Sequence, residues 1–323
     1  MKEGKMMNIL KTVRKVPGGM MIIPLLLGAL VNTLFPAQLA DLGGFSTAMW
    51  KTGANAILGV FLFCNGAQIK VKQAGSALIK GTGLTLIKFI IGAALGIAVN
   101  AAFGQAGFLT ITPLAFIAAI TNSNGGPYSA LASEYGDSTD VGAVSILSIN
   151  DGPFLTMVAL GASGIANIPF KALIATILPI LVGFVLGNLD EDLAKFLEPG
   201  TYLLIPFFAF PLGAGLNFGN LVKAGIPGIL LGVVCTLTTG FGGYLLMKAL
   251  KAKNSGVGWA IGTTAGNAVG TPAFLLSIGA TTEAISTSAT GQITGAIIVT
   301  AILCPLLTHY FSKKEQAKLQ TVA

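Results

Sequence analysis

The sequence predicts an all-α integral membrane protein of ten transmembrane helices, arranged as two inverted five-helix repeats. Three observations carry this. Of the 323 residues, 53% are hydrophobic and only 10% charged, well below the roughly 25% charge of a soluble domain. The first half of the chain reappears in the second. Each half holds an odd number of apolar segments, so a copy must enter the bilayer from the opposite side. The segment from Ile23 to Leu34 returns from Leu178 to Leu189, with Pro24 on Pro179, Gly28 on Gly183 and Leu34 on Leu189. Phe61 to Ala67 returns as Phe208 to Ala214, with Gly66 on Gly213.

The elements follow in order. Residues 5–15 alternate basic and apolar positions and predict an interfacial helix on the cytoplasmic leaflet, ended by Pro17-Gly18-Gly19. A basic start before an apolar run resembles a secretory signal. No A-x-A cleavage site follows, and the run recurs mid-chain, so it reads as a permanent span. A spanning helix needs about 20 apolar residues. Ten such runs lie at 18–35, 50–69, 81–103, 108–133, 140–165, 170–188, 200–219, 226–249, 256–279 and 285–311. The expected organisation is a cytoplasmic segment over 1–17, a first repeat over 18–166, a second over 167–311 and a cytoplasmic tail over 312–323. The polar stretch from Asp190 to Gly200 is a linker too short to be a domain.

A net charge of +7 could suggest nucleic acid, but the charges are sorted by side. With the N-terminus inside, the cytoplasmic loops and ends receive Lys2, Lys5, Lys11, Arg14, Lys15, Lys70, Lys72, Lys80, Lys195, Lys248, Lys251, Lys253, Lys313, Lys314 and Lys318, and the opposite side only Lys171 and Lys223. Such a bias orients membrane proteins, placing both termini in the cytoplasm. Lipid, not nucleic acid, is the expected partner. Cys64, Cys235 and Cys304 lie in apolar runs without CxxC spacing, so neither disulfides nor a zinc site is suggested. His309, the sole histidine, ends the last run and reads as interfacial.

Two spans are interrupted alike. The fourth reads Thr121-Asn122-Ser123-Asn124-Gly125-Gly126-Pro127-Tyr128-Ser129, and the ninth Thr263-Thr264-Ala265-Gly266-Asn267-Ala268-Val269-Gly270-Thr271-Pro272-Ala273. One offset pairs Asn122 with Asn267, Gly125 with Gly270 and Pro127 with Pro272. Proline is favoured where a helix begins, so Gly126 and Thr271 are expected as N-caps of new half-helices. Unwound backbone at membrane depth survives only inside protein or along a wet cavity. Helix N-termini there would present the N–H groups of Tyr128, Ser129, Ala273 and Phe274 to an anion. One such motif could be a mere kink; two in corresponding positions of an inverted repeat point to a binding site. The candidate substrate-binding residues are Asn122, Asn124, Gly126, Tyr128, Ser129, Thr263, Thr264, Asn267, Thr271 and Ala273.

Asp151 is the one acid expected inside a span, where a carboxylate must face protein, pair with a cation or bind a proton. Lys88 is its candidate partner, unless that lysine snorkels. Lys51, nearer a span end, reads as snorkelling. Asn65, Gln68, Asn150, Gln292 and Thr294 add uncharged polar groups that either serve an ion or substrate or bond across helices. Asp151, Asn150, Lys88, Asn65, Gln68 and Gln292 are the ion-coupling candidates.

At these residues the chain resembles the 2-keto-3-deoxygluconate permease family. The likeness runs through Pro17-Gly18-Gly19-Met20-Met21, Thr121 to Tyr128, Gly152-Pro153-Phe154-Leu155-Thr156-Met157 and Ile205-Pro206-Phe207-Phe208-Ala209-Phe210. It implies a bacterial inner-membrane importer of that sugar acid, coupled to protons. It also implies the fold of the bile acid/sodium symporter superfamily, with core and panel domains and discontinuous helices four and nine that cross. The chain departs from the family pattern at Asn150, where an acid before a small residue is implied. Carrying an anion into a negative interior costs about 2.3 kcal/mol per 100 mV, so a co-transported cation is required. That cation is a proton on Asp151, or a sodium ion near Asn122, Asp151 and Gln292; no cofactor is expected. A sodium-coupled carrier of another organic anion is the rival reading. An intramembrane enzyme would need a nucleophile with a base, or a metal cluster. One histidine and scattered cysteines supply neither.

Overall fold

The computed structural model describes residues 8–16, 19–70, 75–150 and 152–322. Asp151, the predicted break at Pro17-Gly18 and the basic residues Lys2, Lys5 and Lys72 lie outside them. Among the described residues the chain is helical throughout, without a strand. The main helices are α1 (Ile9–Arg14), α2 (Gly19–Leu34), α3 (Ala54–Gln68), α4 (Gly75–Phe103), α5 (Pro113–Thr121), α6 (Gly125–Tyr135), α7 (Ser138–Asn150), α8 (Pro153–Ala162), α9 (Phe170–Leu189), α10 (Glu191–Leu197), α11 (Ile205–Gly213), α12 (Phe218–Ala249), α13 (Gly270–Ser277) and α14 (Glu283–Val322), with shorter turns of helix between them. Two 3-10 turns, Ser255–Ile261 and Gly266–Val269, lead into α13.

Five described helical stretches are long and apolar enough to cross a bilayer, and a sixth is gained if α7 and α8, bent by 58°, form one span. Gly19–Leu34 and Ala54–Gln68 are apolar but shorter. The remaining predicted spans fall below that length because the backbone is interrupted. The fourth is divided between α5 and α6, and the ninth between two 3-10 turns and α13.

The fifth predicted span also differs from a continuous rod. It narrows to a 3-10 turn at Ser148–Asn150, and Gly152 is fully extended (φ −175°, ψ 174°) before Pro153 opens α8. Proline without an N–H costs nothing at a helix start, so Gly152-Pro153 makes a third break.

The repeated glycines explain how the halves join. α2 lies against α11, and α3 against α9. A β-carbon on Gly28 would collide with the Phe210 carbonyl, and one on Gly183 with that of Phe63. Likewise Gly213 abuts the Leu25 carbonyl and Gly66 that of Ile180. Each contact is the copy of another under the sequence repeat. The first helix of each half therefore packs backbone to backbone on the second helix of the other, the close approach that small residues permit in membranes.

A second group packs around α12 and α14, where Gly225, Gly228 and Gly232 face Gly291, Gln292, Gly295 and Ala296. The Ser255–Ile261 turn is wedged against both helices, with Gly258 on Gly243 and Gly256 on Ser312. α4 packs on α5, with Gly92 and Gly96 seated on Thr121 and Ile117. Both breaks lie in this second group.

One ion pair escaped the sequence reading. Lys80 of α4 bonds Asp140 at 2.5 Å, and both side chains are buried. In the connection before α7, Asp137 caps the helix. The Thr139 hydroxyl, which donates to it, is the main reason its carboxyl is held at about 2.

Candidate functional site

The two breaks meet one cavity of about 440 Å³, in the usual range for small-molecule sites. The fourth-span break contributes Asn124, Gly125, Gly126, Pro127 and Ser129; the ninth contributes Thr263, Thr264, Gly266 and Asn267. Across from them stand Phe61, Asn65 and Gln68 of α3 and Phe208 of α11. Arg14, Glu198, Thr201 and Tyr202 also line the cavity. Arg14 and Glu198 are the charged side chains among the lining residues.

The half-helices begin earlier than the prolines suggested. α6 starts at Gly125 with Asn124 as N-cap, and α13 at Gly270 with Val269 as N-cap. Gly126 and Thr271 are therefore inside the first turn. The reason is that the first N–H groups of a helix have no intrahelical partner, so proline fits at the third position as well as at the first. The Tyr128 amide already bonds the Asn124 carbonyl at 3.3 Å. The donors at the cavity end of α6 are thus the amides of Gly125 and Gly126, where the helix dipole favours an anion. Gly126 is also held close by the Tyr202 hydroxyl, 2.9 Å from where a β-carbon would sit.

Of the predicted substrate residues, Asn124, Gly126, Ser129, Thr263, Thr264 and Asn267 line the cavity. Asn122, Tyr128, Thr271 and Ala273 are not among the lining residues. Tyr128 is buried, and its hydroxyl donates to the Asp140 carbonyl at 3.0 Å, fastening α6 to α7. Asn122 is completely buried, with neither amide atom hydrogen-bonded, and the Thr271 hydroxyl is likewise buried without a partner.

The ion-coupling candidates are dispersed. Asn65 and Gln68 line the cavity. The Asn65 amide donates to Phe61 of its own helix at 2.8 Å, and Gln68 reaches the Ala194 carbonyl at 2.9 Å. Asn150 is buried and closes the fourth-span break: its side-chain amide donates to the Thr121 carbonyl and, at 3.4 Å, to the Ser123 hydroxyl. The Asn150 carbonyl accepts from the Ser123 amide at 3.4 Å. Gln292 clamps the start of α5, accepting from the Thr112 amide at 3.0 Å and donating to the Thr110 carbonyl at 2.6 Å. Lys88, fully buried, donates to the Ile261 carbonyl at 2.7 Å and to that of Thr263. Lys51 does not simply snorkel: its ammonium bonds Asn32 at 2.5 Å and the Ala214 carbonyl at 2.6 Å.

Sequence reasoning missed Arg14, Glu198 and Tyr202. Each sits in a segment read as interfacial helix, linker or span end, and only tertiary packing brings them to the cavity. Among the described residues there is no cluster of His, Cys, Asp or Glu suited to a metal.

The family model of the 2-keto-3-deoxygluconate permeases matches residues 10–317. The chain is similar to 2-keto-3-deoxygluconate permease 1 of Salmonella typhimurium, with 48% identity covering 97% of this chain and 99% of the relative. It is 41% identical to the 2-keto-3-deoxygluconate permease of Bacillus subtilis, covering 97% and 96%. The protein so named in Xanthomonas axonopodis pv. citri is 37% identical, over 97% and 99%. Apolar membrane helices around a cavity with polar groups in its wall are what a permease requires, and the chain belongs to the 2-keto-3-deoxygluconate permease family, whose members are transporters rather than enzymes.

Proposed function

We propose that this chain imports 2-keto-3-deoxygluconate across a bacterial inner membrane by proton symport, with both termini in the cytoplasm. The observation that carries the reading is the shared cavity, to which both helix breaks present polar groups. A sugar acid needs a place for its carboxylate and partners for its hydroxyl and keto oxygens. The N-terminus of α6 at Gly125 and Gly126 suits the carboxylate. Asn124, Ser129, Thr263, Thr264 and Asn267 suit the oxygens, while the apolar faces of Phe61 and Phe208 border them.

Ten spans in two inverted repeats, over 18–166 and 167–311, are the architecture this function needs. The matched contacts of Gly28 on Phe210 and Gly183 on Phe63, and of Gly66 on Ile180 and Gly213 on Leu25, support it. The group of α2, α3, α9 and α11 would serve as panel, and the group holding both breaks as core. Rocking of one against the other would alternate access. Arg14 and Glu198 lie on segments assigned to the cytoplasm by charge, so the cavity they line belongs to an inward-facing state.

Asp151 is the proposed proton carrier, adjoining the buried Asn150 that shapes the fourth-span break. Counterflow of labelled 2-keto-3-deoxygluconate in proteoliposomes, at varied pH and sodium, tests the proposal. Exchange plus accumulation driven by a pH gradient is expected. Uptake of other organic anions instead, or accumulation driven only by sodium, would refute it in favour of a sodium-coupled carrier.

A further inference from the structure

The two breaks are copies in sequence but not in what satisfies them. Where a helix unwinds, carbonyls lose the amide four residues on and must find another partner. At the fourth-span break the partner is neutral: the Asn150 amide takes the Thr121 carbonyl. At the ninth it is a lysine side chain. The Lys88 ammonium reaches across from α4 to the carbonyls of Ile261, at 2.7 Å, and Thr263. Lys88 is completely buried, and among the described residues no carboxylate pairs with it. Burying a charge is costly without compensating oxygens, and here backbone oxygens provide them. The offset that pairs Asn122 with Asn267 puts Val233 opposite Lys88, so the fourth-span break has no such cation. There, the Asn122 side chain and the side-chain oxygen of Asn150 are buried with no hydrogen-bond partner, as are the Thr263 and Thr271 hydroxyls at the ninth-span break.

We infer that Lys88 is the resident cation of the ninth-span break: its ammonium occupies two carbonyls that an alkali cation could otherwise bind, and leaves the fourth-span break, which has no such cation, open to a carried ion. The second half rests on the transport reading; the first does not. A tethered charge stays with the protein through the cycle and is not delivered with substrate. It also acts through Thr263, whose carbonyl holds the ammonium and which itself lines the cavity. Lys88 is thus a positioning residue that also sets the number of ions available for coupling.

Removing the ammonium while leaving the carbonyls should convert them into an alkali-cation site. The test is thermal unfolding of purified wild type, Lys88→Ala and Lys88→Met in sodium chloride and in choline chloride. Lys88→Ala vacates the carbonyls; Lys88→Met keeps the stem without the charge. The expected result is a saturable sodium-dependent rise in melting temperature for Lys88→Ala that exceeds the wild-type response by about 2 °C or more. Lys88→Met should respond like wild type. An equal response of Lys88→Ala and wild type overturns the inference, as does an equal gain in Lys88→Met. If neither variant folds in either salt, the ammonium is not replaceable by an alkali cation, and the inference also fails. Melting needs no substrate, so absent uptake of labelled 2-keto-3-deoxygluconate would refute the transport reading while leaving this assignment standing.

Discussion

Asn150→Ala should separate the break from its support. The side chain is buried and holds the fourth-span break through the Thr121 carbonyl, with a longer bond at 3.4 Å to the Ser123 hydroxyl. Leaving a buried carbonyl unsatisfied costs about 1–3 kcal/mol, while polar side-chain bonds in membrane proteins average about 0.6 and reach about 1.7 kcal/mol. Two further facts pull the figure down. The Ser123 amide bonds the main-chain carbonyl of residue 150, which the substitution retains. The side-chain oxygen of Asn150 has no partner to lose. A net loss of about 1 kcal/mol follows, and the melting temperature in detergent should fall by about 1–2 °C. If the break positions substrate groups, a comparable loss in binding raises the KM for counterflow about fivefold. Asn65→Ala is the stability control, since Asn65 bonds only its own helix through Phe61. Wild-type melting together with wild-type KM in Asn150→Ala would refute the reasoning.

Other consequences are as specific. Gly28→Ala and Gly183→Ala meet copied obstacles, the carbonyls of Phe210 and Phe63, so both should destabilise by about 1–3 kcal/mol and by similar amounts; a large loss in one and none in the other, read by thermal unfolding, would break the equivalence. Lys80→Ala leaves Asp140 buried and unpaired and should cost about 3–5 kcal/mol, whereas Lys80→Arg should recover much of it, both by thermal unfolding. Tyr128→Phe removes one bond to the Asp140 carbonyl and should cost about 0.5–1.5 kcal/mol without altering the KM of counterflow. Asp151→Asn should abolish accumulation driven by a pH gradient while sparing exchange; full accumulation by that variant would remove Asp151 from the mechanism.

Both backbone breaks were legible because backbone chemistry writes itself into sequence. Gly-Gly-Pro and Gly-Thr-Pro interrupt apolar runs, and their repetition marks both breaks before any coordinates. The repeated Gly28/Gly183 and Gly66/Gly213 likewise anticipate the helix contacts. The cap positions were misjudged by two residues because proline satisfies the first turn at more than one position. The Gly152-Pro153 break carried the same signal but lay in a run apolar enough to read as continuous. Long-range partners were not legible at all. The oxygens that hold Lys88 are main-chain carbonyls, which every residue carries and no pattern distinguishes, while Asp151, its expected partner, lies outside the described residues. Gln292 is similar: its bonds at Thr110 and Thr112 depend on how α14 meets α5. Tyr202 and Arg14 reach the cavity by tertiary packing alone.

Substrate protection tests the shared cavity most directly. Ser129→Cys and Gly266→Cys place a thiol on each break, both at partly exposed positions along the cavity wall, while Cys64, Cys235 and Cys304 are buried. Modification by a small thiol reagent should be slowed at both positions by 2-keto-3-deoxygluconate and at neither by an unrelated sugar. Protection of one position without the other, or of neither, would contradict a single site built from the two breaks.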